Sequence, residues 1–186
     1  MKSFFVAAAA LCSFASAAPA SPFALSPPPA GTQLYSLQAK SYDSVSGVNN
    51  QWVALKTGAT AYTLAAAQSA AAKFFVDQYK PTSTYAFHNA DDTRQIALQG
   101  PDGVLLYLVD ITNPSSTNIP SGQLMEWATF TMDSNTLGVK DGSTLTNRTF
   151  VAVKGSDGGY SLALYDGAST TTQNITPITL SIVKTT

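Results

Sequence analysis

The sequence predicts an all-β protein, a β-trefoil-like barrel of about twelve short strands in three pseudo-repeats, with a two-sheet β-sandwich as the alternative. Three observations carry that expectation. From Gln33 onward, short runs rich in β-branched and aromatic residues are broken by turn residues, with the spacing of about 8–12 positions that marks a sandwich or barrel. Asp-Gly pairs at Asp102-Gly103, Asp141-Gly142, Asp157-Gly158 and Asp166-Gly167 punctuate those runs and offer the positive φ that tight hairpins need. Finally, one strand pattern recurs: Trp52-Val53-Ala54-Leu55-Lys56, Gln95-Ile96-Ala97-Leu98-Gln99 and Phe150-Val151-Ala152-Val153-Lys154. Internal repetition of this kind decides the whole fold, so it is weighed first.

Each copy is followed by a glycine-bearing turn and an aromatic strand: Ala61–Leu64, Leu105–Leu108 and Tyr160–Leu164. A closing strand ends each unit at Lys73–Val76, Ala128–Met132 and Ile178–Ile182, and an opening strand begins it at Leu34–Leu37, Thr84–His88 and Thr136–Val139. Leu64–Phe74 is alanine-rich and has helical propensity. It lacks a clear amphipathic face, so a loop or a single helical turn is expected there.

Three segments follow along the chain. Residues 1–17 read as a secretory signal peptide, with Lys2 at the start, an apolar run from Phe4 to Phe14, and the small-residue cleavage site Ala15-Ser16-Ala17. Residues 18–31 are rich in Pro, Ala and Ser and read as an extended stalk or propeptide. Residues 32–186 form a single all-β domain. The only cysteine, Cys12, leaves with the leader, so a secreted or wall-located chain must fold without disulfides.

Composition narrows the partners. A formal charge of −1 and only 11% charged residues supply no basic stripe for a phosphate backbone, so nucleic acid is excluded. No transmembrane segment is expected, because beyond the leader no apolar run approaches the ~20 residues a spanning helix requires. The C-terminus lacks the hydrophobic tail of a lipid-anchor signal. The chain is expected to act as a monomer.

Residues able to carry chemistry are few. His88 is the sole histidine and cannot build a multi-histidine metal site. Asp91 and Asp92 lie close enough for a His-Asp pair, but Asn89-Ala90-Asp91-Asp92 reads first as a polar turn. No Gly-x-Ser-x-Gly elbow is present, and Ser121-Gly122 lacks that context. Glu126, the only glutamate, stands beside Trp127; a sugar-cleaving reading would need Asp110 or Asp133 as its partner, and the spacing selects neither. No Asp-x-Asp-x-Asp-Gly calcium loop occurs. The expectation is therefore no catalytic, cofactor or metal residue.

Binding is the better-supported expectation. Trp52, Tyr62, Tyr107, Trp127 and Tyr160 have rings able to stack on sugars, although a small barrel also needs aromatic core and cap residues. Tyr79, Tyr85 and Tyr165 stand nearer to turns. The candidate glycan-stacking set is Trp52, Trp127, Tyr79, Tyr85 and Tyr165. Asn147-Arg148-Thr149 and Asn174-Ile175-Thr176 are N-glycosylation sequons, placing Asn147 and Asn174 on surface loops. Asn113-Pro114-Ser115 is excluded by its proline, and Ser115-Ser116-Thr117 and Ser169–Thr172 suit O-linked sugar.

The order of features resembles a group of small secreted fungal proteins, the phialide-associated cell-wall protein family and its IgE-binding relatives. The resemblance runs over most of residues 1–184: the alanine-rich leader, Gln33-Leu34-Tyr35-Ser36-Leu37, the run Gly103–Asp110, the block Trp127–Gly142 and the run Phe150–Gly167. It implies a secreted, non-enzymatic cell-wall or cell-surface protein, structural or carbohydrate-associated and linked to asexual sporulation. Its partners would be cell-wall polysaccharide or other glycans. A glycan-binding, lectin-like effector and a glycoside hydrolase using Glu126 are the alternatives.

Overall fold

Alternation of apolar and polar residues builds thirteen strands in a computed structural model, which describes residues 27–112 and 119–185. They are Leu34–Ser41 (β1), Gln51–Ala54 (β2), Thr63–Ala65 (β3), Phe74–Tyr79 (β4), Thr84–Asn89 (β5), Gln95–Gly100 (β6) and Leu105–Ile111 (β7). Leu124–Trp127 (β8), Phe130–Asp133 (β9), Thr136–Val139 (β10), Thr149–Lys154 (β11), Tyr160–Tyr165 (β12) and Ile175–Thr185 (β13) complete them. The expected leader with Cys12, residues 18–26 of the Pro/Ala-rich segment, Asn113-Pro114-Ser115 and Ser115-Ser116-Thr117 lie outside the described residues.

The strands join one 13-stranded antiparallel sheet rather than the two sheets of the sandwich alternative. Within it, the pairings β1–β4, β4–β5, β5–β9, β9–β10, β10–β13 and β13–β1 return to their starting strand. The longest contact in that circuit runs from Leu34↔Thr185 to Ser41↔Ile178, so the two ends of the domain are fastened to each other. The hairpins β2–β3, β6–β7 and β11–β12 lie off the circuit and meet one another through Ser161↔Thr63, Ala163↔Tyr107 and the bridge Ala61↔Val109.

One apolar cluster fills the interior. Leu37, Phe74, Phe87, Phe130, Leu137 and Leu180 enter it from the six circuit strands, and Val53, Ile96, Leu98, Leu108, Phe150 and Leu162 from the hairpins. Tyr62, Phe74, Phe87 and Phe130 form an edge-to-face run with centroid separations of 5.8, 6.3 and 5.8 Å. That geometry places positive ring edges against negative ring faces. A smaller cluster of Leu105, Val151, Val153 and Ala163 sits on the other face of β7, β11 and β12.

The side-chain parity corrects the alignment of the repeats. Val53 and Ile96 face the main core, which points Ala54 and Ala97 the other way. In the third copy Phe150 and Ala152 enter the main core while Val151 and Val153 face the small cluster. Because strand side chains alternate with period 2, the third copy is offset by one residue from its apparent match. A run of alternating small apolar residues fits either register, and only packing chooses.

Turn chemistry matches expectation in part: Gly142, Gly158 and Gly167 take positive φ of 84°, 79° and 76°, as their Asp-Gly pairs suggest. The tightest hairpin, β9–β10, turns on Ser134-Asn135 with φ of 52° and 62°, the two left-handed residues of a type I′ turn. Gly103 is not among the positive-φ residues, and Asp141-Gly142 lies between β10 and β11, which do not pair. What the aspartates share is a side-chain bond two residues ahead. Asp102, Asp141, Asp157 and Asp166 accept from the backbone N–H of Val104, Ser143, Gly159 and Ala168 at 2.9–3.0 Å. The alanine-rich stretch contains a single 3-10 turn, Gln68–Ala70, as expected of a segment without an amphipathic face.

Candidate functional site

Three polar clusters and two depressions compete for a functional role. The most buried cluster joins β7 to the segment before β3. Asp110, 3% exposed, accepts a hydrogen bond from the Tyr62 hydroxyl at 3.1 Å and is paired with Arg94 Nε. Arg94 spends its other nitrogens on the Asp110 carbonyl at 2.7 Å and the Thr112 hydroxyl at 2.9 Å. A depression of about 360 Å³ opens beside this cluster, lined by residues 55–60, Arg94 and Asp110. It has no aromatic wall and each nitrogen of its guanidinium already has a protein partner, so it reads as a fastening.

This fastening gives the protein an alkaline limit. Burial, then the charge and hydrogen bond of Asp110, push the Tyr62 phenol above its ordinary value of 10.0. The unfolded chain releases that proton near pH 10, whereas the folded chain keeps it. Folded protein therefore binds more protons, and stability must fall with rising pH. The expected slope from Tyr62 is about −1.4 kcal/mol per pH unit above about pH 10. Urea unfolding across that range checks it, and the Tyr62→Phe protein should show a flatter profile.

The second cluster is the His-Asp pair. His88 Nδ1 lies 2.8 Å from Asp92 Oδ1, with both side chains largely covered. The imidazole stacks on Phe75 at a centroid distance of 5.0 Å and 20° between planes. The turn that sets the pair is polar, as expected: Asp92 N–H donates to the Asn89 carbonyl, and Asp91 accepts from both the Thr93 N–H and hydroxyl. The Thr93 hydroxyl, followed by its backbone N–H, holds the exposed Asp91 carboxyl below its usual range.

The third cluster overturns the expected partners of Glu126. Arg148, whose side chain is 11% exposed, places Nη1 against Asp141 Oδ2 and Nη2 at 3.5 Å from Glu126 Oε1. Asp110 is held by Arg94, and Asp133 lies at the exposed end of β9. The carboxylate brought towards Glu126 is thus Asp141, and a guanidinium occupies the gap between them. A glycosidase pair needs that gap open for the scissile bond. Among the described residues, no three His, Cys, Asp or Glu side chains are gathered so as to hold a metal ion.

The candidate stacking rings divide sharply. Trp52, at 9% exposure, is buried on β2 and has no face to offer, which corrects its assignment as a stacking residue. Tyr62 is a core ring, and Tyr85 and Tyr160 pack against the main cluster. Tyr107 and Tyr165 cover the small cluster, and the Tyr165 hydroxyl donates to the Ser169 carbonyl. Trp127 is half-buried on β8, opposite Ala97. Tyr79 is exposed at the end of β4.

The most exposed large ring among the described residues is one that sequence reasoning missed. Tyr42, 73% exposed, follows the last residue of β1 and stands on the rim of a cleft of about 160 Å³. The hydroxyl-bearing Thr136, Thr149 and Thr179 line that cleft with Arg148 and the buried Leu137, Phe150, Leu164 and Ile178. The loop after β1 is fixed beneath Tyr42: the buried Ser41 hydroxyl accepts from the Val45 N–H at 2.8 Å, and Ser41 N–H donates to Asn49 Oδ1. The signal was a Tyr flanked by Ser and Asp where an apolar alternation stops.

Arg148 adds direction without net positive charge. Asp141 and Glu126 together outweigh the charge of its guanidinium, while its Nε is buried without a protein hydrogen-bond partner. A flat ring, threonines along the lining and a cation outweighed by its two carboxylates suit an uncharged polyhydroxylated ligand over an anionic one. Asn147 and Asn174 are both exposed, as expected of glycosylated positions. No helix among the described residues is long and apolar enough to cross a membrane. Compared with protein-family models, curated proteins and solved structures, the chain matches none of them.

Proposed function

We propose that this chain is a secreted, non-enzymatic cell-wall or cell-surface protein that binds neutral glycans in the cleft beneath Tyr42. The observation that carries the reading is the Tyr42 ring itself. A ring of that size left in water beside a lined cleft costs solvation unless an apolar surface covers it, and the C–H face of a sugar is such a surface. The three threonines along the lining supply the polar groups that orient a ligand. The order of sequence features that resembles the phialide-associated wall proteins agrees with this reading and extends it to a role in asexual sporulation.

The fold that would present such a cleft is a β-trefoil-like barrel. The six-strand pairing circuit and the three mutually paired hairpins support that reading, one circuit–hairpin–circuit unit falling in each third of the domain. The test of function is titration with neutral wall oligosaccharides. Tyr42→Ala should weaken binding about tenfold, a loss of about 1.4 kcal/mol, with unchanged thermal stability. Equal affinity for Tyr42→Ala and the parent would remove the cleft from the account.

A further inference from the structure

We propose that an N-linked glycan on Asn147 is the cleft's own occupant and acts as a built-in cover over it; the inference rests on the glycan-binding reading above. The sequon and the cleft are the same stretch of chain. Arg148 and Thr149, the second and third residues of Asn147-Arg148-Thr149, both line the cleft. Consecutive Cα atoms are about 3.8 Å apart, so a sugar on Asn147 starts within one or two residue steps of that lining.

The attachment point is also held in place. Asn147 is exposed, but its backbone lies directly against Gly167, where a Cβ would stand 2.1 Å from the Asn147 carbonyl oxygen. Gly167 has φ +76°, so that close approach depends on its lacking a side chain. The glycan therefore leaves from a fixed position beside the cleft. Its core, built of N-acetylglucosamine and mannose, is uncharged and polyhydroxylated, the chemistry that the threonines and an Arg148 outweighed by two carboxylates favour. Asn174 provides the internal contrast. It is exposed, its carbonyl accepts from the Lys154 N–H at 2.9 Å, and none of its sequon residues lines the cleft.

Tethering sets the size of the effect. A short flexible linkage presents its ligand at millimolar effective concentration. If the cleft holds a single sugar at about millimolar affinity, a tethered glycan at a few times that concentration weakens external binding about fivefold.

The experiment uses the full chain made in a glycosylating host, with occupancy of Asn147 and Asn174 read by mass spectrometry. The parent protein is compared with Asn147→Gln, Asn174→Gln and the enzymatically deglycosylated parent. Nitration of Tyr42 by tetranitromethane reports covering without any added ligand, with Tyr79 as the internal reference. The expected result is that Tyr42 nitrates about fivefold more slowly in the parent and in Asn174→Gln than in the other two proteins. Titration with a neutral oligosaccharide should show the same ratio. Equal Tyr42 nitration in all four proteins, or an unoccupied Asn147, overturns the proposal. Protection of Tyr42 without oligosaccharide binding by any of the four upholds the cover and sinks the glycan-binding reading instead.

Discussion

Phe87→Ala is expected to destabilise the domain by about 3–5 kcal/mol, the range for emptying a buried aromatic position. Phe87 is fully buried at the centre of the ring run, in edge-to-face contact with both Phe74 and Phe130. Its loss leaves a cavity bounded by strands β4, β5 and β9, all held in the closed pairing circuit and unable to collapse separately. Against a typical total of 5–15 kcal/mol, that loss brings the fold close to unfolding. Urea denaturation measures it directly. Tyr79→Ala, at an exposed strand end, should shift stability by no more than about 0.5 kcal/mol. Comparable losses for the two variants would contradict the placement of the core.

Asp110→Ala is expected to cost about 3 kcal/mol, by a different mechanism. The substitution strands the Tyr62 hydroxyl in the core, at about 1–3 kcal/mol for an unsatisfied buried group. It also removes the charge partner of Arg94. Breaking a fully buried pair costs about 3–5 kcal/mol, but the Arg94 side chain is about a third exposed, so water recovers much of that share. Asp110→Asn retains an acceptor for Tyr62 and should lose roughly half as much. The discriminating measurement is the pH profile: in both variants the alkaline decline should level off at a lower pH than in the parent, because burial still raises the Tyr62 phenol but the Asp110 charge no longer adds to it.

Much of the strand order was legible because apolar alternation and turn residues are local signals. The opening, hairpin and closing strands of each unit appear within a few residues of their expected positions. β8 was missed because Leu124–Trp127 is half-exposed and pairs only along β6, so it carries no inward alternation of its own. The one-residue offset at Ala152 was illegible for a related reason: Phe150-Val151-Ala152-Val153 is apolar at every position and is buried on both faces.

The candidate site was read less well. Aromatic identity alone could not separate Trp52, which is buried, from Tyr42, which lies open. That distinction depends on where β1 stops and on Ser41 and Asn49 bonding the turn that follows. The coupling of Glu126 to Asp141 through Arg148 spans twenty-two residues and two turns, a juxtaposition that spacing does not encode. By contrast, the His88–Asp92 pair is local, and the sequence placed both residues within reach.

The most direct test of the central claim is the affinity of the deglycosylated chain for uncharged wall oligosaccharides, measured calorimetrically beside Tyr42→Ala. Saturable binding to neutral oligosaccharides, weakened about tenfold in Tyr42→Ala and not improved by anionic sugars, is the predicted result. Absence of binding to any neutral oligosaccharide, or tighter binding to anionic ones, would contradict it.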